Sequence, residues 1–99
     1  EEAAKIAYEA IFANSGQICI AASRVFVQAS IYDKFVKKSK ELALKRRLGD
    51  PFADDTEQGP QVDDEIFDRV LRYLKAGKED GAKLEVGGER HGELGYYIK

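Results

Sequence analysis

One cysteine stands in the 99 residues, Cys19, so no internal disulfide is possible. A lone thiol fits a reducing compartment, a reactive group or a small buried hydrophobe. Histidine is equally scarce. His91 is the only one, and no set of His, Cys and acidic residues has metal-ligand spacing, so no metal site is expected. The two prolines, Pro51 and Pro60, fall in a single stretch. No apolar run approaches the length of a membrane span. Basic residues are scattered among acidic ones at a formal net charge of -2. The clustered basic face of a nucleic-acid binder is therefore missing. Glu1-Glu2-Ala3-Ala4-Lys5 has no signal-peptide character, and the chain shows no internal repeat, low-complexity tract or domain linker.

What is present is a globular balance, 43% hydrophobic and 34% charged, with too many large apolar residues for a disordered segment. Glu1 to about Phe12 reads as a helix with Ala3, Ile6, Ala7, Ala10 and Ile11 in one stripe. Asn14-Ser15-Gly16 breaks it. Arg24 to Gln28 reads as a strand covered on both faces. Ser30 is placed to cap a helix from Ile31 to about Leu48, whose stripe is Ile31, Phe35, Val36, Leu42 and Leu48. Lys45, Arg46 and Arg47 complement its C-terminal dipole; Gly49 and Pro51 end it. Asp50 to Val62 is a loop. Asp63-Asp64-Glu65 opens a third helix with Ile66, Phe67, Val70, Leu71 and Leu74 on its apolar face, frayed between Gly77 and Gly81. Lys83 to Val86 and Tyr96 to Ile98 read as short strands. Strands alternating with helices predict an α/β architecture. The chain opens inside a periodic helix and closes on an aromatic β-like run, which together suggest a piece of a larger domain.

The chemistry centres on Phe12-Ala13-Asn14-Ser15-Gly16-Gln17-Ile18-Cys19-Ile20-Ala21-Ala22-Ser23. A helix ends at a glycine and presents a thiol in the turn before a buried strand. Backbone N–H groups of such a turn can face an oxygen bound to whatever the sulfur attacks. That is an oxyanion-hole arrangement, in which one lost donor costs roughly 10²–10³ in rate. A free cysteine titrates near about pH 8.5, so such a site must lower that value or supply a base. On spacing alone a structural cysteine at a helix–strand corner is the favoured reading.

The string Phe12-x-x-x-Gly16-Gln17-x-Cys19-x-Ala21-x-Ser23 resembles the active-site cysteine signature of the aldehyde dehydrogenase superfamily. Ser23 to Gln28, Ile31 to Phe35, Gly49-Asp50-Pro51-Phe52 and Thr56 to Val62 resemble, in order, the segments downstream of that signature in the broad-specificity, NAD-linked branch. Gly81 to Leu84, Gly87-Gly88 and Gly95 to Ile98 continue the likeness to the end of the chain. The resemblance implies an α/β segment, helix–Cys loop–strand–helix–loop–helix–strand–strand, in which residues 1–99 are part of a catalytic domain. The dinucleotide-binding domain and oligomerisation elements would lie elsewhere in the parent, as would the oxyanion asparagine and the general-base glutamate.

The resemblance also implies roles. Cys19 attacks the aldehyde carbonyl, giving a thiohemiacetal and then a thioester, with NAD or NADP taking the hydride. Ile18 and Ile20 line the substrate tunnel with Ala13, where some relatives carry a bulky aromatic; ordinary core packing explains these three equally well. Gly16 and Gln17 shape the turn and Asn14 braces the helix end. Arg24 is a structural ion-pair partner. Arg69 sits where several relatives have a lysine near the cofactor ribose, but Ile66 stands where that branch often has glutamine. A solvated helix-face arginine is therefore the stronger reading. His91 reads as an exposed loop residue and Gly87-Gly88 as a turn without dinucleotide spacing. The parent is expected to be a homodimer or homotetramer, cytoplasmic or mitochondrial, acting on an aldehyde without nucleic-acid or membrane partners. The isolated piece is expected to be inactive. The competing reading is a small α/β interaction or antigenic module with an inert thiol.

Overall fold

The computed structural model describes residues 1–99 and divides into two compact units, Glu1–Arg46 and Arg47–Lys99. In the first unit α1 spans Glu2–Phe12 and α2 spans Tyr32–Lys45. Short 3₁₀ turns occupy Ala13–Gly16 and Ala29–Ile31. Ala4 is the buried centre of α1, with Ala7, Tyr8, Ile11 and Phe12 half-buried beside it. These residues recur at the helical spacing of three and four and face α2. The expected stripe is thus rotated: Ala7 and Ile11 belong to it, but Ala3, Ile6 and Ala10 lie on the exposed side. Both sides of α1 are apolar, and periodicity alone cannot say which one this chain covers.

The second helix begins one residue later than expected and ends sooner. Ser30 makes no capping bond; Ile31 holds the cap position and is 49% exposed. Phe35, Val36 and Leu42 are half-buried as the stripe requires. The helix stops at Lys45 because Arg46 turns extended, at φ -66° and ψ 124°. Next, Arg47 accepts through its carbonyl from the N–H groups of Glu57 and Gln58, and Leu48 pairs with Gln58 in an isolated parallel bridge. A tertiary pairing takes these residues before Gly49 and Pro51 act.

The second unit holds α3, Asp64–Glu79. Asp63 caps it, its carboxylate accepting from the Ile66 N–H at 2.8 Å, and Asp64 and Glu65 put negative charge in the first turn. Gly77 lies inside the helix. The end is a Schellman motif: Ala82 N–H donates to the Gly77 carbonyl and Gly81 N–H to Lys78, with Gly81 left-handed at φ 87°. Phe67 is buried on the inner face, its ring 5.9 Å from Tyr96 and under the Arg90 guanidinium at 5.1 Å. Residues 88–99 fold back on themselves through Gly88 to Lys99, Lys99 to Glu89 and His91 to Tyr97 hydrogen bonds.

No strand forms. The expected strand at 24–28 has no ladder partner, and Phe26 is 95% exposed rather than covered. No strand is assigned at 83–86 either, and 96–98 contribute one antiparallel bridge, Arg90 to Ile98. A strand is defined by its neighbour, and within this chain neither 24–28 nor 83–86 forms a ladder. No helix is long and apolar enough to cross a membrane.

Candidate active site

Every helix leaves four C-terminal carbonyls without an intrahelical partner. In α1 two of them are taken by groups that shape the cysteine loop. The last regular helical bond is Ala13 N–H to the Glu9 carbonyl. Ala10 accepts from Ala22 N–H at 3.2 Å, so the chain beyond Cys19 returns to the helix end. Phe12 accepts from the Arg46 guanidinium at 2.9 Å.

Between these anchors the backbone takes an unusual path. Asn14, Ser15 and Gly16 are successively left-handed, at φ 49°, 57° and 76°. Glycine tolerates this and asparagine does so better than most, but each non-glycine residue so held costs of order 1–3 kcal/mol. Reciprocal bonds hold the loop shut. Gln17 N–H donates to the Asn14 carbonyl at 3.0 Å and Asn14 Nδ2 to the Gln17 carbonyl at 3.2 Å. Asn14 therefore braces the loop and not the helix end. An added Cβ on Gly16 would lie 3.4 Å from the Ile11 carbonyl.

Cys19 comes next, at the second position of a turn closed by Ala21 N–H donating to the Ile18 carbonyl at 3.0 Å. That bond leaves the Cys19 N–H unclaimed by the turn. The thiol is free and exposed. Ile18 and Ile20 flank it at 37% and 85% exposure, and Ala13 is exposed too, so none of the three is core in this chain. The first unit thus brings Ala13, Asn14, Gly16, Gln17, Ile18, Cys19 and Ile20 into one short loop. Chemically it offers a nucleophile, an adjacent N–H donor and an apolar surround.

The remaining candidates are not part of this loop. Arg69, on α3, is held by Glu65 one turn earlier. Arg24 is exposed and makes no ion pair. His91 is half-buried, not fully exposed, with its ring edge-on to Tyr97 at 6.4 Å. Two residues that sequence reasoning gave no role at the loop are Tyr8 and Arg46. The Arg46 guanidinium donates to Tyr8 Oη at 3.0 Å and sits 5.5 Å from both the Tyr8 and Phe12 ring centres. No local pattern could have found this contact, because 34 residues separate Arg46 from Phe12.

The profile of the aldehyde dehydrogenase family matches residues 1–99. The mitochondrial benzaldehyde dehydrogenase of Antirrhinum majus is 52% identical over the whole chain, which spans 18% of that protein. An aldehyde dehydrogenase of Davidiella tassiana is 60% identical over 90% of the chain and 18% of its own length. Among solved structures, the NAD+ complex of aldehyde dehydrogenase from Bacillus cereus superposes with a TM-score of 0.96 at 41% identity, over 99% of this chain and 20% of that one. The local fold is therefore that of an aldehyde dehydrogenase. Matched along its full length by the family profile, the chain belongs to the aldehyde dehydrogenase family.

Proposed function

We propose that residues 1–99 are the nucleophile-bearing part of a catalytic domain that oxidises aldehydes to carboxylic acids. The observation that carries this reading is the exposed Cys19 thiol in a strained, doubly anchored loop, with its own N–H left unclaimed by the turn. The Cys19 sulfur adds as thiolate to the aldehyde carbon, and the carbonyl π electrons move to oxygen. In this reading the Cys19 N–H, which the turn leaves unclaimed, donates to that oxyanion, and a second donor comes from residues outside this chain. Oxidised nicotinamide dinucleotide, when bound, supplies the hydride acceptor that turns the thiohemiacetal into a thioester. Water activated by a base outside the chain then releases the acid and restores the thiol.

The Gly87-Gly88 turn is not shaped to cradle that dinucleotide. The space beside Gly87 is filled by the Lys99 backbone and that beside Gly88 by Leu84, while Arg69 is committed to Glu65. NAD or NADP would be held by other residues, and the 99-residue chain alone would be inactive. The inert-module reading loses ground, since the dehydrogenase family profile spans residues 1–99. The complete enzyme, by the same reading, is a homodimer or homotetramer of the cytosol or mitochondrion.

The test is NADH production with a short aldehyde by a full-length dehydrogenase containing this segment, as wild type and Cys19→Ser. Activity should fall by at least about 10³-fold in the variant, the scale of losing a covalent nucleophile. Equal activity in both would overturn the assignment. The small, exposed Ala13, in the same loop as Cys19, supports access for bulky aldehydes. Ala13→Phe is expected to shift preference toward short aldehydes by roughly tenfold in relative kcat/KM. An unchanged chain-length profile would remove Ala13 from the substrate path.

A further inference from the structure

We propose that Arg46 is a positioning residue for the nucleophile, holding the loop that aims Cys19. The inference rests on the reading of Cys19 given above. Four contacts carry it. The guanidinium donates to the Phe12 carbonyl at 2.9 Å and to Tyr8 Oη at 3.0 Å, and it lies against both rings at 5.5 Å. Phe12 is the last residue of α1, and its carbonyl belongs to the peptide that leads into the loop. Three left-handed residues follow after Ala13, and such a path persists only where the surroundings fix its ends. Ala22 N–H secures the far end on the Ala10 carbonyl. At the near end the side-chain anchor is Arg46.

The residue suits the task on two counts. Its positive charge meets the negative end of the α1 dipole, where it grips the Phe12 carbonyl, while its backbone is the C-cap of α2. Its planar fork serves a carbonyl and a hydroxyl together while presenting a face to aromatic rings, which a lysine ammonium cannot do. Arg46 has no part in bond making; it acts through the placement of the thiol and its N–H.

The test uses the full-length dehydrogenase containing this segment. Arg46→Met, Arg46→Lys and Cys19→Ser are compared for kcat, for KM of both substrates, and for the rate at which iodoacetamide alkylates Cys19 in the folded protein. Misplacement of reacting atoms by about 1 Å can cost on the order of 10²-fold. Arg46→Met should therefore lower kcat by roughly 10- to 100-fold and shift the alkylation rate by several-fold, with KM for the dinucleotide unchanged. Arg46→Lys keeps the charge and should recover part of both, and it remains informative if the methionine variant does not fold. Wild-type kcat and alkylation in Arg46→Lys together with Arg46→Met would overturn the proposal. So would a kcat loss that only tracks the folded fraction. Full activity in Cys19→Ser would instead defeat the nucleophile assignment, and the alkylation rates would still report whether Arg46 places the loop.

Discussion

Gly16 combines a left-handed φ of 76° with a close carbonyl, Ile11, 3.4 Å from where a Cβ would stand. Gly16→Ala is expected to cost about 1–2 kcal/mol, the penalty of a side chain in that region, and to lower kcat in the full-length enzyme more than the drop in melting temperature would suggest. Parallel kcat and thermal-unfolding measurements check this. Gly87 is more severely constrained. Its φ is 67°, and a Cβ would lie 2.5 Å from the Lys99 carbonyl oxygen. Gly87→Ala should open the pairing of Gly88 with Lys99, raising amide exchange at both residues by at least about tenfold, as a loss near 1.4 kcal/mol requires. Unchanged exchange would show that the turn relaxes around the methyl group.

Among the elements, α3 is the most self-sufficient. Its cap, acidic first turn, apolar face and glycine terminator are all local, and all but the cap at Asp63 were legible in residues 63–81. Asp63→Ala should remove about 1 kcal/mol from the first turn, speeding amide exchange at Ile66 and Phe67 by roughly fivefold, whereas Asp63→Asn should retain most of the protection. Helix α2 shows the opposite case. Its basic C-terminus was visible, but its stopping point was not, because Arg46 and Arg47 are drawn off by Phe12 and Glu57. Surface pairs such as Lys75 with Glu79 add little, since exposed ion pairs contribute from about 0 to 1 kcal/mol.

Across the whole chain the buried hydrophobic residues are Ala4, Phe67 and Ile98, while Phe26 and Phe52 are each 95% exposed and Leu94 87%. So much bare apolar surface marks faces that other structure covers, in keeping with a segment that spans 20% of the Bacillus cereus enzyme it superposes on. The isolated 99 residues are therefore expected to bind a hydrophobic dye, to self-associate and to unfold without a sharp transition. A monomeric sedimentation profile with one cooperative transition would contradict this.

Residue types and order alone placed helices at Glu1 to about Phe12, Ile31 to about Leu48 and from Asp63 onward, because helical periodicity, caps and glycine terminators are short-range signals. They also singled out Cys19 and its neighbours, through the signature of residues 12–23 and the family likeness downstream of it. They predicted strands that this chain does not form, because Val25, Phe26 and Val27 carry the composition of a covered strand without stating where its partner lies. Only the tertiary structure decided which side of α1 is covered, where α2 stops, and that Arg46 meets Phe12. These outcomes depend on contacts between residues far apart in sequence, and no local pattern encodes them.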